Sequence, residues 1–403
     1  MKRTIEDYID VVGEQVIAAI HRRARRLYDR HVFHLNSTFQ GGGVAEILSR
    51  VVPLMNDAGI DMGWRILHGN PAFYDVTKKF HNALQGGDVE ITADDRKLYL
   101  EVNEEFASYT HIDHDFVFVH DPQPLPMVRF CAKQQPWVWR CHIDLTEPHA
   151  ELWKFLKMYL LRYDLVIVSS EGYRKNDLPI EQRVVCPAID PLSLKNRWQD
   201  DDEVKSYAKE QGIPTDKPIV MQVSRMDPWK DPEGVLDVFM KVRKKVDCRL
   251  VFCYNLASDD PEGISIYDRV QAKVHEMGLG EDVLFVLGNN DNLVNAMQTL
   301  ATVIIQKSIR EGFCLTVTEA MWKGKPVVAT TAGGIPSQIT DGENGFLVDP
   351  HDLDGCADRV VEILKNPSLG EKLGHAARES ARQKFLTPRL MTDYLNIILE
   401  LVS

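Results

Sequence analysis

Three features of the 403-residue sequence predict an α/β fold built from two doubly wound domains. Short apolar runs of strand character alternate with helical stretches nearly throughout. The alternation breaks once, at Pro187-Ala188-Ile189-Asp190-Pro191 and the polar stretch Ser193–Asp202, and then resumes. The stretch on each side of the break is long enough for a domain with its own core.

Residues 5–28 read as one helix, with Ile5, Val12, Val16 and Ile20 near helical spacing. The run Arg22-Arg23-Ala24-Arg25-Arg26 closes it, where cations complement the helix dipole. Strands are expected at His31–Leu35, Trp64–Leu67, Phe116–Val119, Trp137–Arg140, Leu165–Val168 and Val184–Cys186. Helices such as Val44–Met55 and Leu152–Leu161 separate them. Short apolar strands alternating with helices point to parallel sheets covered on both faces. Beyond the break, strands are expected at Ile219–Val223, Arg249–Tyr254, Val283–Leu287, Val303–Gln306, Pro326–Ala329 and Gly345–Val348. The last stretch, Pro388–Val402, carries Leu390, Met391, Tyr394, Leu395, Ile398 and Leu399 in a helical stripe that fits either domain. Two such domains facing each other would form a cleft at the carboxyl ends of their strands, where open α/β sheets bind ligands.

Composition narrows the function. Hydrophobic residues make up 44% of the chain and charged residues 26%, as in soluble globular proteins. A net charge of −12 opposes binding to nucleic acid or an anionic membrane, so neither is expected as a partner. There is no apolar run of membrane-spanning length and no signal-peptide pattern in Met1–Asp7. Seven scattered cysteines without a C-x-x-C pair argue against a disulfide framework or zinc site. The expectation is a cytoplasmic protein with reduced thiols.

Four loops carry chemistry. After the first strand comes Gln40-Gly41-Gly42-Gly43, opening a helix, where backbone N–H groups can approach an anion. The run is neither G-x-G-x-x-G nor a P-loop, which removes support for dinucleotide binding and Walker-type hydrolysis. His120-Asp121 and His142-Ile143-Asp144 follow two further strands. Such pairs serve as acid/base groups, hydroxyl ligands or metal ligands, or merely as caps for Asp121 and Asp144. Arg225 and Lys230 share the loop after Val220–Val223, a fork and a point charge suited to separate oxygens of a diphosphate. Finally, Glu311 precedes and Glu319 lies within a helix starting near Leu315, eight residues apart. Both carboxylates are good acceptors for sugar hydroxyls, and the amides of Phe313, Cys314 and Leu315 would face the same ligand.

Together these stretches resemble the retaining nucleotide-sugar glycosyltransferases of GT-B fold, including Ala332-Gly333-Gly334-Ile335-Pro336 further on. The nearer resemblance is to the trehalose glycosyltransferring synthases, which join a nucleotide-activated glucose to free glucose. It rests on Gly41–Leu48, Lys79–Gly86, Val119–Pro124, Trp139–Leu145 and Thr316–Pro326. The resemblance implies two Rossmann-like domains, residues 1–189 and 190–387, with the C-terminal helix 388–403 returning to the first. It implies that Arg225 and Lys230 hold the donor diphosphate, and that Glu319 accepts from the ribose with the Leu315 amide near a phosphate. Glu311, with Gly312 and Phe313 and next to Cys314, would bind the donor glucose. His142 would sit near the reaction centre, and Gly42 and Gly43 against the phosphates. Asp121, with Gln123, Asp144 and Asn82 in the matching stretches, would serve the acceptor. Implied partners are an NDP-glucose (UDP- or ADP-glucose), a glucose acceptor and a second copy of the chain. No obligatory cofactor is implied, with Mg2+ an optional activator. The loops after Tyr254 and Leu287 are candidates for the base pocket.

Two positions depart from the pattern. In the resembled pattern the family usually has glycine where Cys314 stands, and the nearer resemblance implies glycine where Asp231 stands. Cys314 is expected to add bulk beside the donor sugar. Asp231 is expected to weaken phosphate affinity by placing a negative charge next to Lys230.

Overall fold

The computed structural model describes residues 3–39, 42–255 and 261–402. Gly41 of the glycine run and residues 256–260 after Tyr254 lie outside the described residues. The chain divides into two compact units, Met1–Ala188 with Leu386–Ser403, and Ile189–Phe385.

The first unit holds a six-stranded parallel sheet of β1 (His31–Asn36), β2 (Asp61–Ile66), β3 (Phe116–His120), β4 (Trp137–Arg140), β5 (Leu165–Val168) and β6 (Gln182–Val184). Their order is β2-β1-β3-β4-β5-β6. Strands β3, β4 and β5 are buried along their whole length, as expected for a parallel sheet covered on both faces. Phe33, Val117, Trp137 and Trp139 enter one core with Phe80 and Leu156 from the covering helices. The C-terminal helix Thr387–Leu401 packs against helices Glu14–Ala24 and Gly43–Asp57 of this unit. Arg389 anchors its start by donating to the carbonyls of Cys186 (2.7 Å) and Pro187 (3.1 Å).

The second unit repeats the architecture with β7 (Ile219–Arg225), β8 (Arg249–Asn255), β9 (Val283–Leu287), β10 (Val303–Gln306), β11 (Val327–Thr330) and β12 (Phe346–Val348). The parallel order is β12-β11-β10-β7-β8-β9.

This topology locates the chemistry. Strand order reverses between β1 and β3 in one unit and between β7 and β10 in the other, and open sheets bind ligands at the carboxyl side of such a reversal. Gly42 follows β1, His120 and Asp121 end or follow β3, Lys230 follows β7, and Glu311 follows β10.

The expected single helix over 5–28 is a correction. It is divided into Ile5–Tyr8 (3-10), Ile9–Val12, Glu14–Ala24 and Arg25–Leu27 (3-10). Gly13 sits at φ 86°, outside the helical region, so the hydrophobic period continues through a broken backbone.

Candidate active site

In the second unit, β7 delivers Arg225 at its last position, largely exposed and paired with Asp227 at 2.8 Å. Asp227 also accepts from the Trp229 amide (2.8 Å), which winds the loop into the short turn Pro228–Lys230. Lys230 is mostly buried and its ammonium contacts the Glu311 carboxylate directly. Burial opposes the charge on Lys230, but the Glu311 charge and hydrogen bond, with Asp227 nearby, raise its pKa. Gln222 donates to the Lys230 carbonyl at 2.8 Å and the Ile309 amide to the Trp229 carbonyl at 2.8 Å, fastening the two loops together.

The loop after β10 is packed against backbone. A Cβ on Gly334 would lie 2.4 Å from the Gly312 carbonyl oxygen, so the Ala332–Pro336 stretch needs glycine for close approach. Gln338 donates to the Phe313 carbonyl and, at 3.2 Å, to that of Cys314. Thr318 donates to Gln338 at 2.6 Å, orienting that amide. Cys314 starts the helix Leu315–Trp322 in the left-handed conformation, φ 75°. Among the described residues the amides of Phe313, Cys314 and Leu315 meet no acceptor, which leaves donors at this helix start. Glu319 is 2% exposed and accepts from Gln298 at 2.9 Å, with the Lys195 ammonium 3.5 Å from its other oxygen.

Both departures acquire a physical reading. Glycine is the ordinary occupant of left-handed backbone, and Cys314 and Asp231 (φ 48°) both adopt it. The Cys314 sulfur lies 3.2 Å from the Thr316 hydroxyl, and burial pushes its thiol up to about 12. Asp231 does not aim at Lys230. Its carboxylate caps the helix Pro232–Val242 through the Gly234 amide (3.0 Å) and pairs with the buried Lys307, which also donates to the Pro350 carbonyl at 2.8 Å. Its charge is therefore already compensated, contrary to the expectation from sequence.

In the first unit, Gly42 stands at φ 81° ahead of the helix Gly43–Asp57. A Cβ there would meet open space, so the backbone angle and not crowding selects glycine. Asp121, also left-handed at φ 60°, accepts from the His142 amide at 2.7 Å. The Asp121 carbonyl accepts from Trp139 at 2.8 Å, and Tyr99 donates to the Pro122 carbonyl. Burial raises the Asp121 carboxyl to about 7, against the His142 amide and the Arg140 charge, which lower it. His142 hydrogen-bonds His120 at 3.1 Å, and burial with the Arg140 charge keeps its pKa well below the usual value. Gln123 presents a buried side-chain oxygen without a partner among the described residues. Asp144 is 2% exposed and engaged by the Thr146 amide (2.8 Å) and hydroxyl (2.6 Å), a loop-tying role. Asn82 is half-buried near the end of the helix Pro71–Leu84, and its carbonyl accepts from Gly87 at 2.9 Å.

Sequence reasoning missed Gln298, Lys307 and His34, which are buried, and the half-buried Lys195 beside Glu319. His34 carried the clearest sequence signal of them, a polar residue in the middle of an apolar strand. After Leu287, Asn290 caps the helix Asp291–Leu300 by accepting from Asn292 at 2.9 Å. Among the described residues no group of three or more His, Cys, Asp or Glu is arranged to hold a metal ion, and no helix is long and apolar enough to cross a membrane.

Comparison with known proteins fits this geometry. The family model "Trehalose synthase, N-terminal domain" matches residues 34–175 and "Glycosyl transferases group 1" matches 203–380. A trehalose synthase from Thermococcus litoralis is 41% identical over 400 residues, covering 98% of this chain and 97% of that one. One from Rubrobacter xylanophilus is 40% identical over 415 residues, covering 100% and 98%. Among solved structures, the trehalose-6-phosphate enzyme of E. coli bound with UDP-2-fluoro glucose superposes with a TM-score of 0.75 at 14% identity, covering 91% of this chain and 98% of that one. The two parallel sheets are those of the GT-B fold, and the chain belongs to the trehalose synthase family of glycosyltransferases.

Proposed function

We propose that the protein transfers glucose from UDP- or ADP-glucose to free glucose with retention at the anomeric carbon, forming α,α-trehalose in a reversible reaction. The observation that carries the reading is the Lys230–Glu311 contact, which joins two motifs 81 residues apart at the reversal of one sheet. The whole-length likeness to trehalose synthases supports the choice of sugar and acceptor.

In this reading the C1–O bond to the diphosphate lengthens and negative charge gathers on the leaving oxygens. Arg225 and Lys230, held by Asp227 and Glu311, are fixed cations for that charge, and the Leu315 amide adds a donor. Glu319, aimed by Gln298 and Lys195, accepts from ribose hydroxyls. Glu311 and the Gly312–Phe313 backbone, with Cys314 on the same turn, hold hydroxyls of the transferred glucose. On the first unit, Gly42 and Gly43 are assigned to phosphate, His142 to the hexose, and Asp121, Gln123, Asp144 and Asn82 to the acceptor. Glu311 and Glu319 are each engaged by a lysine, which favours same-face attack over a carboxylate nucleophile. The acceptor oxygen bonds to C1 as the phosphate oxygen departs, and the acceptor proton passes to the diphosphate. With one arginine and one lysine for the leaving group, no metal is obligatory in this reading, and Mg2+ is an optional activator. The active species is proposed to be a cytoplasmic homodimer.

The test incubates purified protein with UDP- or ADP-glucose and glucose, glucose 6-phosphate, glycerate or inorganic phosphate, with and without a chelator. Nucleoside diphosphate release and sugar products are measured. Release with glucose, yielding trehalose and persisting in chelator, is the expected result. Release only with another acceptor reassigns the substrate, and nucleotide binding without release under any condition makes the protein a sensor.

A further inference from the structure

His142 is the end of a chain of three histidines. His34 in β1, His120 at the end of β3 and His142 just after β4 come from three adjacent strands. The Nδ1 atom of His34 lies 2.9 Å from Nε2 of His120, and Nδ1 of His120 lies 3.1 Å from Nε2 of His142. The rings are stacked, with centroids 5.2 and 5.4 Å apart, and His34 stacks further on Phe118. His34 and His120 are buried at 0% and 1% exposure, and burial lowers all three pKa values, that of His34 to about 3. The chain is therefore neutral at neutral pH.

A neutral imidazole has one N–H and one lone pair, so the two hydrogen bonds admit only two arrangements. In one, every ring carries its proton on Nδ1, and the bonds run from His34 to His120 to His142. In the other, every proton is on Nε2 and the bonds run backwards. The arrangements differ at the buried end. His34 Nε2 has no partner among the described residues. The second arrangement would strand an N–H there, whereas the first strands only a lone pair. Buried N–H groups without acceptors are the rarer of the two in backbone, and the same electrostatics applies to a ring. His142 Nδ1, at the other end, bonds to nothing among the described residues and belongs to a partly buried ring.

We propose that His34 and His120 are positioning residues that fix His142 in its Nδ1–H tautomer, so that His142 donates a hydrogen bond to a hexose oxygen and does not act as a base at that atom. The hexose part rests on the proposed function, and the tautomer part does not. The tautomer also accords with the acceptor proton leaving on the diphosphate.

Two measurements test this. Long-range 1H–15N spectra of the ligand-free protein labelled at histidine, with His142 assigned through His142→Gln, read the proton position without any substrate. The expected result is a protonated Nδ1 and a bare Nε2 on His142; a protonated Nε2 overturns the proposal. His120→Phe keeps a ring between His34 and His142 but removes the donor to His142 Nε2. It is expected to free the His142 tautomer and to lower kcat/KM for the nucleotide sugar about tenfold, the value of one hydrogen bond. His120→Asn, whose amide stands near the place of Nδ1, is expected to restore both. An unchanged His142 spectrum in His120→Phe, or equal losses in His120→Phe and His120→Asn, overturns the proposal. Should His120→Phe not fold, the wild-type spectrum and His120→Asn still decide. A wild-type protein with the expected tautomer but no glucosyl transfer would overturn the functional reading alone.

Discussion

Replacing Asp231 by glycine, the residue that the family resemblance implies at this position, is expected to destabilise this protein. Lys307 is 3% exposed, and Asp231 is its carboxylate partner. Removing one member of a buried ion pair costs about 3–5 kcal/mol, and the 19% exposure of the Asp231 side chain argues for about 3. Loss of the cap on the Gly234 amide adds only about 0.3 kcal/mol, because glycine is itself an acceptable cap. Relief of the left-handed backbone at φ 48° returns about 1 kcal/mol. The net is about 2 kcal/mol, or roughly 4–8 °C in the melting of a unit of this size. Asp231→Asn keeps the cap and the strain and loses only the ion pair, so it should be the less stable of the two, by about 1 kcal/mol. Calorimetric unfolding of the three proteins measures the order wild type, glycine, asparagine. A glycine variant melting at or above wild type would mean that the Asp231–Lys307 pair does not stabilise this unit.

Other variants probe the site. Lys230→Ala and Arg225→Ala are each expected to lower kcat about 100-fold or more with little change in KM for glucose, measured by nucleoside diphosphate release. Near-normal turnover in both would contradict their role at the leaving group. Glu319→Gln should weaken UDP binding about tenfold in calorimetry, through loss of a charged acceptor for the ribose. An unaltered affinity would detach Glu319 from the ribose. Asp121 holds its proton up to about pH 7 when folded but only to about 3.8 when unfolded. Its contribution to stability is thus fully present below about pH 4 and lost as the pH rises through 7. Relative to Asp121→Asn, the wild type should lose unfolding free energy across that window, and a constant difference would contradict the raised pKa.

All twelve strands were legible because parallel strands buried on both faces are nearly continuous apolar runs, such as Phe116–Val119 and Leu165–Val168. The two least accurate bounds fall on β2 and β6, which are edge strands with mixed or half-buried patterns and so a weak apolar signal. The break at Gly13 was hidden because the apolar spacing runs through it. Within the candidate site, residue types and spacing singled out Arg225, Lys230, Glu311 and Glu319, of which the structure brings Lys230 and Glu311 into contact. Sequence separation carries no information on contact, so the lysine on Glu311, the Gln298 and Lys195 around Glu319, and the turning of Asp231 toward Lys307 emerged only in three dimensions. The glycine departures were visible as substitutions, but their backbone conformation was not.

Same-face transfer of glucose to glucose, with Arg225 and Lys230 meeting the leaving group, fixes the configuration of the product. Proton NMR of the disaccharide formed from UDP- or ADP-glucose and free glucose tests it most directly. The expected outcome is one symmetric product in which both anomeric protons are equivalent and α. A β-configured linkage, or free glucose as the only sugar released, would contradict it.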